Sequence, residues 1–219
     1  MVGQPGLHEE IVRILQPLTN KNTTILDLAT GEGALALRLK DKGYSVEATS
    51  LENNSNKQLT GINLYQVNLN TDFSSFITEK YDVITAVEII EHLESTKNFL
   101  RNCYKLLKSQ GRLLITTPNI ENLPSRLKFF LKGNVSSFEY FTHKDLYHHE
   151  PEHINPIFSL LLEGIANEIG FKIVKRYGYP NQDFNLCKKA TKIISHILSS
   201  MTFIKGNKFG DTNIFLLEK

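Results

Sequence analysis

Several features are scarce in this 219-residue sequence, and each scarcity excludes a class of protein. No apolar run approaches the roughly 20 residues that a membrane-spanning helix needs. The two cysteines, Cys103 and Cys187, are too few for a disulfide framework, so we expect a reducing, cytoplasmic setting. The N-terminal residues lack the basic and apolar segments of a secretory signal, and none is expected. The formal net charge of only +2 does not favour a dedicated nucleic-acid-binding protein.

The hydrophobic pattern predicts one α/β domain over residues 1–219. Hydrophobic residues make up 41% of the chain, which is enough for a full core. Short β-rich runs alternate with stretches of helical periodicity, as is typical of a Rossmann-like, doubly wound, mostly parallel sheet with helices on both faces. Seven strands are expected at residues 24–28, 44–49, 62–67, 81–87, 112–117, 171–177 and 213–218. Helices are expected from residue 7 to about Pro17 and at residues 34–41, 96–107, 156–169 and 188–201.

The alternation breaks after the fifth strand, and we expect residues 119–155 to form an inserted lid that faces the substrate. The stretch contains Pro124 and Gly133, together with six aromatic residues between positions 123 and 147. Irregular insertions in α/β domains often carry function. The rings could form a wall for a bulky or sugar-containing acceptor, or a small core of their own.

A glycine-containing segment, residues 27–33 (DLATGEG), joins the first strand to the next helix. Glycine lets the backbone approach a ligand closely, and a helix N-terminus offers unpaired amide groups. The spacing differs from the G-x-G-x-x-G of nicotinamide-binding folds. It resembles D-x-G-x-G-x-G, the first motif of the class I S-adenosylmethionine-dependent methyltransferases, with Ala29 at the place of the first glycine. We expect this alanine to be a mild change.

Three further segments resemble the same superfamily in the same order. Residues 81–93 resemble the fourth-strand motif of the branch that includes quinone-biosynthesis and polysaccharide-cluster methyltransferases, in which E-x-x-E-H follows the strand. Residues 106–119 resemble the fifth-strand segment of that branch, with Ser109 and Gln110 replacing its proline and first glycine. The segment 153–156, followed by Gly170 and Phe171, resembles the part after the insertion.

This resemblance implies an enzyme that transfers a methyl group from S-adenosyl-L-methionine to an oxygen or nitrogen of a small-molecule or glycan-type acceptor, leaving S-adenosyl-L-homocysteine. It also implies that the last strand is antiparallel to the others. Fold-level resemblance does not determine which acceptor is used.

The resemblance further implies a set of cofactor contacts. Asp27 is expected near the amino group of the cofactor, where a carboxylate accepts charge-assisted hydrogen bonds. Ser50 falls where the family has an acidic residue for the ribose hydroxyls, and Glu52 is either its substitute or a solvated loop charge. Asn68 falls beside the adenine amino group, which an amide can serve. The full expected set is Asp27, Ala29, Thr30, Gly31, Gly33, Ser50, Leu51, Glu52, Asn68, Leu69 and Val87.

Three residues are candidates for acid–base catalysis: His153, His92 and Glu88. Methyl transfer needs an acceptor held in line with the sulfonium, and a hydroxyl acceptor must lose a proton. Histidine accepts protons near neutral pH, so His153 or His92 is expected at the mouth of the pocket, with Glu88 near the transferred methyl. The alternative is that His92 packs against or caps a helix and that His153 belongs to a solvated loop.

Two other functions stay open. Glu88, Glu91 and His92 are predicted to share one helical turn, and with His153 they resemble the metal-binding set of small-RNA 3′-terminal 2′-O-methyltransferases. Because the E-x-x-E-H string also occurs in the metal-free branch named above, we expect no metal. Because the strongly basic surface that RNA requires is absent, we expect no nucleic-acid partner. The departures from the family pattern at Ser50, Ser109 and Gln110 also permit a non-enzymatic cofactor-binding module.

Overall fold

Strands and helices alternate along the chain in the computed structural model, which describes residues 4–52, 59–138, 153–180 and 210–219. The strands are β1 (Thr24–Leu28), β2 (Ser45–Ser50), β3 (Asn63–Gln66), β4 (Tyr81–Val87), β5 (Leu107–Pro118), β6 (Lys172–Tyr179) and β7 (Thr212–Glu218). The helices are α1 (Leu7–Leu15), α2 (Ala34–Asp41), α3 (Thr96–Leu106), α4 (Leu123–Lys132) and α5 (Ser159–Ile169). Single 3-10 turns occupy Gln16–Leu18, Phe73–Ser75 and Ile90–His92.

The seven strands form one sheet in the order β3-β2-β1-β4-β5-β7-β6. Strands β1 to β5 pair in parallel, whereas β7 runs antiparallel to both of its neighbours, β5 and β6. The predicted seven-stranded, mostly parallel sheet and its antiparallel last strand are therefore confirmed. The chain order reverses at β1, which lies between β2 and β4, and ligands of open α/β sheets bind at such a reversal.

Helices cover both faces of the sheet because successive side chains of a strand point to opposite faces. Ile25 of β1 is fully buried in a cluster that includes α1 and α2. Its neighbour Leu26 is fully buried in the opposite cluster, which includes α3 and α5. The two cores hold the strand ends in place on either side.

Helix ends coincide with residues that suit them. Ser95 precedes α3 and its hydroxyl accepts the N–H of Asn98 at 3.2 Å, while Asn122 precedes α4 and accepts the N–H of Ser125 at 2.9 Å. Helix α1 ends two residues before Pro17, as predicted. Among the helices that the structure describes, none is long and apolar enough to cross a membrane.

Two parts of the fold differ from the sequence-based expectation. Strand β5 begins at Leu107 rather than at Arg112, because a bulge with Gln110 at φ 62° lets the earlier residues join β4. The start of the expected lid is the regular helix α4, which carries exposed apolar side chains. Residues 139–152 of the expected lid and the expected helix 188–201 lie outside the described ranges, so the inserted lid stays a prediction.

The packing of α3 gives a stability prediction. Phe99 is fully buried, with its ring centroid 6.0 Å from that of Phe73, whereas Phe76 is 67% exposed. We expect Phe99→Ala to lower the free energy of unfolding by about 3–5 kcal/mol, because it opens a cavity in the core. The matched change Phe76→Ala should stay within about 0.5 kcal/mol of the wild type. Urea unfolding checks both values, and equal losses in the two variants would contradict this core assignment.

Candidate functional site

The glycine loop (residues 29–33) lies between the carboxyl end of β1 and the start of α2. Ala29, Gly31 and Gly33 all have positive φ, at 52°, 56° and 82°. The neighbouring strand β2 holds the loop through Thr49, whose hydroxyl accepts the N–H of Ala29 at 2.9 Å and whose carbonyl accepts the N–H of Thr30 at 3.0 Å. These two hydrogen bonds fix the first two residues of the loop, whereas Gly31 is exposed.

Alanine at position 29, where the family motif has glycine, strains the backbone more than the sequence suggested. Its φ of 52° lies in the left-handed region, where an alanine Cβ crowds the carbonyl and costs roughly 1–2 kcal/mol. The bond from its N–H to the buried Thr49 hydroxyl holds it there. The expectation of a mild change is therefore corrected, because this position requires a backbone conformation that glycine adopts without strain.

Asp27 is buried at the end of β1 and holds two neighbouring segments together. One carboxylate oxygen accepts the hydroxyl of Thr30 at 2.6 Å, and the other accepts the hydroxyl of Thr85 on β4 at 2.7 Å. Burial raises the pKa of Asp27 to about 6, although both hydrogen bonds oppose the shift. The carboxylate therefore ties the glycine loop to β4, in addition to any contact with a ligand.

The residues expected to contact the ribose and the adenine of the cofactor follow β2 and β3, at the carboxyl ends of these strands. Ser50 is half-buried, and Leu51 and Glu52 are exposed. Asn68 is exposed, and its side-chain oxygen accepts the N–H of Asn70 at 2.9 Å. Leu69 is buried in the core on the α3 face, so its side chain is turned away from this edge.

Glu88 follows Val87 at the carboxyl end of β4 in a strained conformation, with φ of 49°. Its N–H lies 3.0 Å from the Thr116 hydroxyl on β5, and that hydroxyl donates to the Glu88 carboxylate at 2.8 Å. Burial is the main cause that raises the pKa of the Glu88 carboxyl above its ordinary value. Both the backbone and the side chain of Glu88 are thereby oriented by one residue of the adjacent strand.

The predicted helical turn over residues 88–92 is wrong. Glu88 has a positive φ and Ile89 has φ of −124°, so only the 3-10 turn Ile90–His92 remains, and Glu88 and His92 cannot share a helical face. The positive φ of Glu88 ends the strand in a conformation that no right-handed helix can continue.

The structure instead brings together Glu91, His92 and His153, each with a potential ligand atom within 4.8 Å of the others. Glu91 is fully buried, and the rings of His92 and His153 meet edge to face with centroids 4.7 Å apart. The pKa of Glu91 is raised by burial first and by the charge of Glu88 second, so the two carboxyl groups are electrostatically close. Glu88 is not one of the three grouped residues.

Threonines are the site residues that the sequence reasoning missed. Thr49, Thr85 and Thr116 lie near the carboxyl ends of β2, β4 and β5, and each hydroxyl bonds a residue of the expected site. A polar residue near the end of an otherwise apolar strand is the signal that could have indicated them.

The known proteins that this chain resembles are methyltransferases. The sequence profile of a methyltransferase-domain family matches residues 4–176. A ubiquinone biosynthesis O-methyltransferase of Coxiella burnetii is 28% identical over 114 residues, 48% of this chain and 48% of that protein. The match therefore spans about half the length of this curated relative.

Two solved structures share the fold. A SAM-dependent methyltransferase from Archaeoglobus fulgidus superimposes with a TM-score of 0.66 at 18% identity, covering 97% of this chain and 94% of that one. Phosphoethanolamine N-methyltransferase 2 of Haemonchus contortus, in complex with S-adenosyl-L-methionine, superimposes with a TM-score of 0.63 at 14% identity. That match covers 100% of this chain and 54% of the other. At these identities the likeness establishes the fold alone.

The buried Asp27 carboxyl predicts a pH dependence of stability. The pKa of Asp27 is about 6 in the folded chain against an ordinary value of 3.8, so between these values the native state keeps a proton that the unfolded chain has released. The free energy of unfolding should therefore fall as pH rises from about 4 to 6, by up to about 3 kcal/mol from this residue.

Denaturant unfolding of wild type and Asp27→Asn at pH 4 and pH 7 measures this contribution. We expect the wild type to lose stability relative to Asp27→Asn as pH rises, because the variant has no proton to release. Asp41→Asn, which changes an exposed aspartate at the end of α2, is the control and should track the wild type. A constant difference between Asp27→Asn and wild type at both pH values would refute the prediction.

Proposed function

The chain belongs to the methyltransferase-domain family that matches residues 4–176, and from this premise we propose that it is an S-adenosylmethionine-dependent O-methyltransferase acting on a hydroxyl group of a small molecule. The observation that carries the proposal is the glycine loop, whose first two N–H groups are hydrogen-bonded to Thr49 at the point where the strand order reverses. Because glycine has no side chain, a ligand at such a point can come close to the backbone amides.

The cofactor would lie across the carboxyl ends of β1, β2 and β3. We assign its methionine part to the glycine loop and Asp27, and its ribose to Ser50 with Glu52. Leu51, Asn68 and the main chain of Leu69 would surround the adenine, and Val87 would form the floor below the sulfonium. The exposed positions of Leu51, Glu52 and Asn68 support this assignment, because such side chains are accessible to a ligand.

Methyl transfer itself needs an acceptor oxygen in line with the carbon–sulfur bond. The oxygen attacks the methyl carbon, the carbon–sulfur bond breaks with its electrons going to sulfur, and the acceptor hydroxyl loses its proton. Of the three residues considered for catalysis, we assign proton removal to Glu88. Its carboxylate is oriented by Thr116 at the end of β4, and burial favours its proton-accepting role near neutral pH.

An oxygen acceptor with an apolar portion is the class that we favour. The curated relative is named as an O-methyltransferase of ubiquinone biosynthesis. Helix α4, which follows β5 closely, exposes Leu127, Phe130 and Leu131, and such side chains suit an apolar acceptor better than a bare sugar. The formal charge of +2 does not favour RNA. The cytoplasmic setting stays a prediction.

Cofactor binding is tested most sharply at Gly31. A Cβ built on Gly31 or on Gly43 meets no protein atom within 4 Å, and both residues have positive φ, at 56° and 89°. Alanine should therefore strain the two positions similarly, but only Gly31 belongs to the glycine loop. In calorimetric titration with S-adenosylhomocysteine, we expect Gly31→Ala to weaken binding by at least ~10-fold, a loss of about 1.4 kcal/mol.

Gly43→Ala should bind S-adenosylhomocysteine like the wild type. Equal affinity in the two variants would remove the glycine loop from the cofactor site. Absence of saturable binding to the wild type would remove the cofactor itself and with it the proposed activity.

Glu88→Gln tests the assignment of the base. Glutamine keeps an oxygen that can accept the Thr116 hydroxyl, but it cannot take a proton. We expect kcat to fall by about 10²–10⁴-fold with the affinity for S-adenosylhomocysteine unchanged. The exposed Glu94 offers the control Glu94→Gln, which should keep wild-type turnover.

Turnover is measured as S-adenosylhomocysteine release over a panel of phenols, catechols, alcohols, sugars, amines and an RNA oligonucleotide. An undiminished kcat in Glu88→Gln would disprove its role. Cofactor binding without product from any acceptor would favour the non-enzymatic module instead.

A further inference from the structure

The carboxylate of Asp27 is enclosed by the protein on the side of both of its oxygens. One oxygen accepts the hydroxyl of Thr30 at 2.6 Å, and the other accepts the hydroxyl of Thr85 at 2.7 Å. The Asp27 residue is only 2% exposed. A ligand contacts the atoms that solvent reaches, so in this conformation of the glycine loop the carboxylate is not accessible to the amino group of the cofactor.

Thr30 lies between this buried carboxylate and the exposed part of the glycine loop. It is half-buried, whereas the next residue, Gly31, is exposed. Its N–H donates to the carbonyl of Thr49 at 3.0 Å, and its own carbonyl accepts the N–H of Gly33 at 2.9 Å. The main chain of Thr30 is therefore held on both sides, and its hydroxyl is held by Asp27.

The bond to Asp27 decides what the Thr30 hydroxyl can offer a ligand. The pKa of Asp27 is about 6, so its carboxyl is ionised at neutral pH and only accepts. A hydroxyl has one proton and two lone pairs, and the proton of Thr30 is directed to Asp27. The Thr30 oxygen therefore presents lone pairs alone, and the negative charge behind it strengthens them as acceptors. Such an oxygen suits an ammonium group and does not suit a carboxylate.

We propose that the hydroxyl oxygen of Thr30 accepts a hydrogen bond from the ammonium group of S-adenosylmethionine, and that Asp27 is a positioning residue that acts on the cofactor through Thr30 without touching it. This inference rests on the proposed function. It differs from the role that the family resemblance implies for Asp27, which is a direct contact with the amino group.

Calorimetric titration of the full chain with two ligands tests this contact. S-adenosylhomocysteine carries the ammonium group, whereas 5′-methylthioadenosine has the same nucleoside and a thioether but no amino-acid part. We expect Thr30→Val to weaken the binding of S-adenosylhomocysteine by at least ~10-fold, because valine has the shape of threonine without its oxygen. The affinity for 5′-methylthioadenosine should stay as in the wild type.

Three further variants separate the contact from a structural effect. Thr30→Ser keeps the hydroxyl and should keep the affinity for S-adenosylhomocysteine. Thr24→Val is the matched control, because the Thr24 hydroxyl also donates to an aspartate, Asp82 at 2.8 Å, but lies at the amino end of β1. Asp27→Asn should weaken binding by itself and should add little in the Thr30→Val background, since residues that act through one another are not additive.

Unchanged affinity for S-adenosylhomocysteine in Thr30→Val would overturn the proposal and leave the ammonium group to main-chain oxygens of the loop. Equal weakening of both ligands, or a Thr30→Ser variant as weak as Thr30→Val, would also overturn it, since a damaged loop would then explain the loss. Fully additive losses in the double variant would refute the indirect role of Asp27. Each of these results leaves the proposed function intact, whereas only a wild type that does not bind S-adenosylhomocysteine refutes that function.

Discussion

Thr49 on β2 accepts the N–H of Ala29 with its hydroxyl and the N–H of Thr30 with its carbonyl, and these two bonds hold the turn that leaves β1. Asp27 completes the arrangement from the other side, because its carboxylate accepts the hydroxyls of Thr30 and of Thr85 on β4. Three adjacent strands therefore converge on one loop. A ligand that uses the backbone amides of this loop meets groups that are already oriented, so little conformational entropy is lost on binding.

The combination of a positive φ with a nearby threonine hydroxyl occurs twice at this edge of the sheet. At the end of β1 and at the end of β4, a residue other than glycine adopts a positive φ, Ala29 at 52° and Glu88 at 49°. In each case its N–H lies near the hydroxyl of a threonine on the next strand, Thr49 or Thr116. Strained backbone persists where its surroundings hold it, and it concentrates at functional sites. The two strained residues face the cofactor and the acceptor, respectively, in the function proposed above.

Much of the fold was predictable because its signals are local. Strand β4 occupies residues 81–87 as expected, since an apolar run bounded by charges is typical of a strand buried on both faces. Helix α2 occupies residues 34–41, after a glycine turn. The errors arose where a tertiary contact decided the backbone. The E-x-x-E-H spacing indicated a helical turn, but the bonds of Glu88 to Thr116 impose a conformation from which no helix can start. The partner lies 28 residues away, and spacing alone does not reveal it.

The sequence by itself determined the class of fold, the strand-loop-helix position of Asp27, Gly31 and Gly33, and the family to which the chain belongs, because these depend on periodicity and short motifs. Only the tertiary structure decided how the remaining groups combine. It grouped Glu91, His92 and His153 without a helical turn from Glu88, and it showed that the Glu91 side chain is fully buried. The physical reason is that burial and hydrogen bonding depend on segments distant in sequence, here the turn at residues 90–92 and the segment from His153 to Asn155.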